Sequence, residues 1–133
     1  SSDESSSDLP AATGDVLSAN MYNGLVAYTV NTAQTADYTP VLNDAYQTLT
    51  PMNKATAINF TIPTNASVAY PVGTVLTVLN IGAGACTIKA VTSGTTTVLS
   101  AGAVAAQPTL AQYKSAACIK TATDTWYVVG AIS

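Results

Sequence analysis

Along residues 57–62, Ala-Ile-Asn-Phe-Thr-Ile, apolar and polar side chains alternate. Only an extended strand places Ile58, Phe60 and Ile62 on one face and Asn59 and Thr61 on the other. Other short strand-like runs stand at 25–30, 46–52, 74–79, 86–91, 95–99, 116–121 and 126–129. They are rich in Val, Ile, Leu, Thr and Tyr, and Pro, Gly, Asn, Asp or Ser punctuate them. The chain has 21 Thr, whose branched β-carbon suits a pleated surface. No helical period persists beyond a turn or two, and residues 15–23 could form a short helix or a turn. Strands spaced roughly 8–12 residues apart with turn signals between them predict an all-β chain. The expected architecture is a single β-sandwich or jelly-roll-like domain over residues 25–133, behind an extended acidic arm over residues 1–24.

Several local features refine this expectation. Pro40 confines residues 38–42 to an edge or a loop, and a strand through 46–52 is expected to end at or near Pro51. Pro71-Val72-Gly73 reads as the turn that launches the run at 74–79. Gly82 and Gly84 mark a tight connection, Ser93-Gly94 a turn, and residues 101–108 a loop. Residues 110–113 read as a short strand. The runs at 116–121 and 126–129 form a closing hairpin around 122–125. Trp126 is expected to seal the core from that last strand, and Gly130 to let the chain leave in close contact.

Charged residues make up only 8 % of the chain, against about a quarter in typical globular domains. A surface so neutral suits a protein covered by neighbours. It equally suits a secreted β domain from a low-charge proteome. The charge is also unevenly placed. Asp3, Glu4, Asp8 and Asp15 give the first 15 residues −4; Asp37, Asp44 and Asp124 against Lys54, Lys89, Lys114 and Lys120 leave +1 for the rest, which sums to the net −3. Such a body has no basic stripe for a phosphate backbone, so nucleic acid is not an expected partner. Nor is a membrane, because no stretch reaches the ~20 apolar residues of a spanning helix.

The chain has no His, which removes Ser-His-Asp and Cys-His catalysis. No Gly-x-Ser-x-Gly elbow and no phosphate-cradling Gly-x-x-x-x-Gly-Lys loop occurs. A two-carboxylate hydrolase could draw on Asp37, Asp44 and Asp124. All three stand in turn-like segments, where Asp commonly bonds its own backbone, and that structural reading is preferred. Lys114-Ser115 would point to opposite sides of a strand. Cys86 and Cys118 sit in apolar runs and read as buried free thiols rather than a bridge; their spacing fits no zinc site. The acidic start lacks the alternating ligands of a Ca²⁺ loop. Asn59-Phe60-Thr61 and Asn65-Ala66-Ser67 match the glycosylation pattern, as chance allows in so Thr- and Ser-rich a chain. No enzyme activity, cofactor or metal is expected.

From Tyr38 onward the pieces fall in a familiar order. Tyr-Thr-Pro-Val-Leu-Asn-Asp-Ala stands at 38–45, and Phe-Thr-Ile-Pro closes the run at 60–63. Asn-Ala-Ser-Val-Ala-Tyr-Pro-Val-Gly-Thr follows at 65–74, then Ile-Gly-Ala-Gly at 81–84. Ala-Gln-Tyr-Lys-Ser-Ala-Ala at 111–117 precedes Trp-Tyr-Val-Val-Gly at 126–130. This order resembles a β module of tailed-bacteriophage structural proteins, found in tail-fibre or receptor-binding proteins and in small capsid-associated proteins. Residues 1–37 lie outside the resemblance. It implies a virion component, and a capsid decoration (cement) protein is the leading expectation. Its partners would be the major capsid protein and copies of itself, as a dimer or trimer, on the virion surface after assembly in the bacterial cytoplasm. Leu9 and Pro10 would attach the arm to a neighbour, with Asp3, Glu4 and Asp8 facing basic coat residues. The alternative is a fibre-tip module recognising host glycans, with Tyr22, Tyr28, Tyr38, Tyr46, Tyr70, Tyr113 and Trp126 available to stack on sugars.

Overall fold

A computed structural model describes residues 29–45, 48–101 and 107–133. These fold as an all-β unit of two sheets, with one single-turn 3-10 helix at Leu42–Ala45. The strands are β1 (Thr29–Val30), β2 (Thr48–Met52), β3 (Ile58–Ile62), β4 (Val75–Asn80), β5 (Cys86–Ala90), β6 (Thr97–Ser100), β7 (Thr109–Leu110), β8 (Lys114–Ala122) and β9 (Thr125–Gly130). The larger sheet has the order β1-β2-β4-β8-β9-β6, and the smaller β3-β5-β7.

From β2 to β8 the chain changes sheet at every step. Strands adjacent in sequence are therefore mostly not paired. Instead β2 pairs with β4 and β3 with β5, both in parallel. The offsets agree: Leu49 faces Thr77 and Ile58 faces Cys86, so 77 − 49 and 86 − 58 both equal 28. Residues 48–62 and 76–90 are thus two windings stacked in register. Four of the seven strand pairings are parallel. Only β8 and β9 make the expected hairpin; it turns at Thr123-Asp124, where Asp124 adopts φ 55°.

The corners of the two windings lie against each other. Ile81 and Gly82 donate their N–H groups to Met52 O, and Gly84 donates to Lys54 O. A side chain at either glycine has no room. A Cβ at Gly82 would stand 2.3 Å from Lys54 N, and one at Gly84 1.8 Å from Thr56 O. Asn80 completes the corner from within. Its Nδ2 donates to the carbonyls of Gly84 and Leu110, and its Oδ1 accepts from Gly82 N. A fully buried amide thus has its hydrogen bonds made, as burial demands.

Both sheets feed one core. Ile58, Phe60 and Ile62 of β3 meet Met52, Leu76, Val78, Cys118, Trp126 and Val128 of the larger sheet. Trp126 is buried against Tyr70, ring edge to ring face at 5.6 Å. Gly130 leaves β9 at φ 133°, where a Cβ would meet Ser115 O at 2.7 Å. The predicted roles of Trp126 and Gly130 therefore stand.

Some boundaries move. Of the run at 25–30 only Thr29–Val30 is described as strand, residues 25–28 lying outside the described residues, as do 46 and 47 of the run at 46–52. Residues 38–42 are the expected edge or loop segment: Tyr38 makes one bridge to Phe60, and the 3-10 turn takes over at Leu42. Pro51 sits inside β2 rather than ending it; its carbonyl accepts from Gln34 N on the β1 side of the strand. β6 begins at Thr97, because the N–H groups of Thr95 and Thr96 close a turn onto Thr92 O. The short strand at 110–113 is Thr109–Leu110, since Tyr113 turns the chain with φ 67°.

Cys86 and Cys118 are buried free thiols, as expected. Burial pushes each up to about 12 from a usual value near 9. Neither should react with a thiol reagent at pH 8 until denaturant is added. Between about pH 9 and 12 the unfolded chain loses protons that the folded chain keeps. Stability should therefore fall as pH rises through that window. Urea midpoints at pH 8 and pH 11 measure the loss.

Candidate docking face

The outer face of the larger sheet is set by strand register. Paired residues on neighbouring strands share a face and stand about 5 Å apart. One such row runs Val75–Ile119–Tyr127–Leu99 across β4, β8, β9 and β6. The next runs Leu49–Thr77–Ala117–Val129 across β2, β4, β8 and β9. A shorter one runs Pro51–Leu79–Ser115. None of these eleven positions carries a charge. Val75, Tyr127, Val129 and Leu99 are between 37 and 49 % exposed, while Leu49, Thr77, Leu79, Ala117 and Ile119 are half-buried and Pro51 is buried, so the face is partly open to solvent.

The inner face holds one surprise. Lys120 lies on it beside Trp126 and is 2 % exposed. Its Nζ donates to Asn65 Oδ1 and to Tyr70 O, each at 2.6 Å, and stands 6.0 Å from the Trp126 ring centre. Asn65 is held in turn: its backbone N–H donates to Asp124 Oδ1, which also accepts from Thr96 Oγ1. Thus the loop after β3 is fastened to the closing hairpin by a buried ammonium whose two acceptors are uncharged carbonyl oxygens.

The three carboxylates of the body are structural ties. Asp44 Oδ2 accepts from Val41 N and from the Tyr38 hydroxyl at 2.5 Å, and Oδ1 from Asn31 Nδ2. Desolvation, and then this bond to Asp44, push Tyr38 up to about 12. Asp37 accepts both N–H groups that Asn59 offers, and these bonds hold its carboxyl below the usual range. Only Asp44 bonds within its own turn. Asp37 and Asp124 reach strands and loops distant in sequence, which the local reading of turn aspartates did not anticipate. Asn59 is tied to Asp37, and Asn65 to Lys120.

The proposed arm contacts Asp3, Glu4, Asp8, Leu9 and Pro10 lie outside the described residues, as do Tyr22, Tyr28 and Tyr46. Of the other candidate sugar-stacking rings, Tyr70 and Trp126 are buried and Tyr38 is half-buried, while Tyr113 is 76 % exposed. A groove of about 290 Å³ lies between Lys89 and Ala90 of β5 and Thr97–Leu99 of β6, with Lys89 its one charged wall. Among the described residues no group of three or more His, Cys, Asp or Glu gathers, and no helix is long and apolar enough to cross a membrane.

The outward rows were missed in the sequence because their members come from five strands. The signal was there in β4, Val-Leu-Thr-Val-Leu-Asn, where apolar residues occupy both parities. A strand facing water on one side would alternate. No family model, curated protein or solved structure matches the chain.

Proposed function

We propose that this chain is a structural component of a tailed-phage particle, a decoration protein that binds the coat shell and bridges neighbouring capsid subunits. The uncharged outer face of the six-stranded sheet carries this reading. Apolar strand rows exposed on a body with few charges suit burial against protein, where each Å² removed from water contributes roughly 25 cal/mol. In this account the two sheets form a sandwich that lies across joints between coat subunits. The acidic arm reaches an adjacent subunit, with Leu9 and Pro10 as its apolar anchor and Asp3, Glu4 and Asp8 against basic coat side chains. Repetition over the shell turns modest contacts into resistance to internal pressure. The order of pieces from Tyr38 onward supports the same assignment.

The glycan-binding alternative is weakened by the burial of Tyr70 and Trp126. Counting copies per purified particle separates the two. A decoration protein is present in hundreds of copies; a fibre tip is present in a handful, and that result would sink the proposal.

A further inference from the structure

The contact between Lys120 and Asn65 pairs an amine with a carboxamide, two groups that can be converted into one amide. Lys120 is fixed on β8: its backbone N–H donates to Thr74 O, and its carbonyl accepts from Gly73 N. Asn65 is fixed in the loop after β3 by the bond from its own N–H to Asp124 Oδ1. Nζ thereby meets Asn65 Oδ1 and Tyr70 O, each at 2.6 Å, beside the Trp126 ring. A C=O bond of about 1.23 Å and an angle of about 120° at its oxygen put Nζ about 3.4 Å from Asn65 Cγ, a near-attack distance. Lys120 is 2 % exposed, so bulk water hardly competes for Nζ. Asn65 is only half-buried, which gives a small leaving group a way out. Its Nδ2, the nitrogen that must leave, has no partner among the described residues.

We infer that Lys120 and Asn65 join in an intramolecular isopeptide bond, the hydrogen-bonded pair being its reactant state. Nζ loses one proton to solvent and attacks Cγ with its lone pair, while negative charge gathers on Oδ1. Rotation about the Asn65 Cβ–Cγ bond turns the face of the carboxamide toward Nζ. The Cγ–Nδ2 bond then breaks, and Nδ2 leaves as ammonia with a second Nζ proton. An ammonium and a carboxamide become a secondary amide, ammonia and a proton, so atoms and charge balance without an oxidant or co-reactant. The bond ties the loop after β3 to β8. It closes a ring of chain between residues 65 and 120, which restricts the unfolded state as a disulfide does. The link stands apart from the coat-binding reading and needs no partner.

Intact mass spectrometry tests this on the full chain, kept folded for days at room temperature and then denatured. The expected mass is below that of the sequence by about 17 Da, one ammonia. An asparagine cyclised to a succinimide loses the same mass, so the place of the link decides. Trypsin does not cut after an acylated lysine, and a digest should therefore contain residues 55–89 joined to 115–133. Lys120→Met should keep the full mass of its sequence. If that variant does not fold, Asn65→Ala carries the same expectation, and the joined peptide of the parent decides by itself. A parent chain at full mass overturns the inference. So does a chain lighter by one ammonia whose digest gives 115–120 and 121–133 as separate peptides, or the same loss in a folded Lys120→Met.

Discussion

Replacing Gly84 by Ala should destabilise the protein by about 3–5 kcal/mol, more than most single substitutions. The added methyl would lie 1.8 Å from Thr56 O and 2.1 Å from its carbonyl carbon. Both obstacles are backbone, so no rotamer change relieves the clash. The 53–57 corner must move off the 81–85 corner, which breaks the bond from Gly84 N to Lys54 O and strains the one from Ile58 N to Ala85 O. For a domain of this size, a loss of 4 kcal/mol corresponds to a melting point lower by about 15–25 °C. Gly94→Ala is the control. It has open space around its Cβ and a φ of 88°, so its cost is conformational alone, about 1–2 kcal/mol. Equal melting points for the two variants would show that the windings do not stack as described.

The second large effect concerns Lys120. Lys120→Ala leaves Asn65 Oδ1 and Tyr70 O without the donor that each now has at 2.6 Å, and opens a void beside Trp126. Two stranded acceptors cost about 1–3 kcal/mol each, and the void adds about 1–2 kcal/mol. Relief from burying an ammonium offsets part of this. The net expectation is a loss of about 3 kcal/mol. Lys120→Met keeps most of the volume and sheds the same charge, so it should lose about half as much. Thermal melts of the three proteins read the order directly. A Lys120→Ala variant that melts with the parent would mean that the ammonium is not a fastener.

The alternating strand β3 was legible because one of its faces is wet or edge-covered while the other enters the core, and a period of two then appears in the sequence. The Trp126–Gly130 closure and the hairpin before it were legible for similar local reasons. The winding was not. Parallel stacking of residues 48–62 on 76–90 depends on pairs 28 residues apart, and the two segments share no repeated pattern beyond their strand lengths. Its one local trace was Gly82-Ala83-Gly84, visible as a tight connection but silent about the backbone it must admit. The part played by Lys120 was hidden for a different reason. A lysine in a strand counts as surface charge unless the acceptors waiting for it are known, and those come from the loop after β3. The outer face was hidden because its rows run across strands, where no window along the chain can see them.

In the function proposed above, the chain packs on a coat shell with its arm engaged. On that reading, the most direct measurement is co-sedimentation of the full chain with tailed-phage coat shells free of it, alongside a variant lacking residues 1–15. The account predicts saturable pelleting of the full chain at a fixed ratio to coat subunits, and binding at least tenfold weaker without the arm. A full chain that stays in the supernatant would contradict the decoration role, and undiminished binding by the shortened chain would contradict the part given to Asp3, Glu4, Asp8, Leu9 and Pro10.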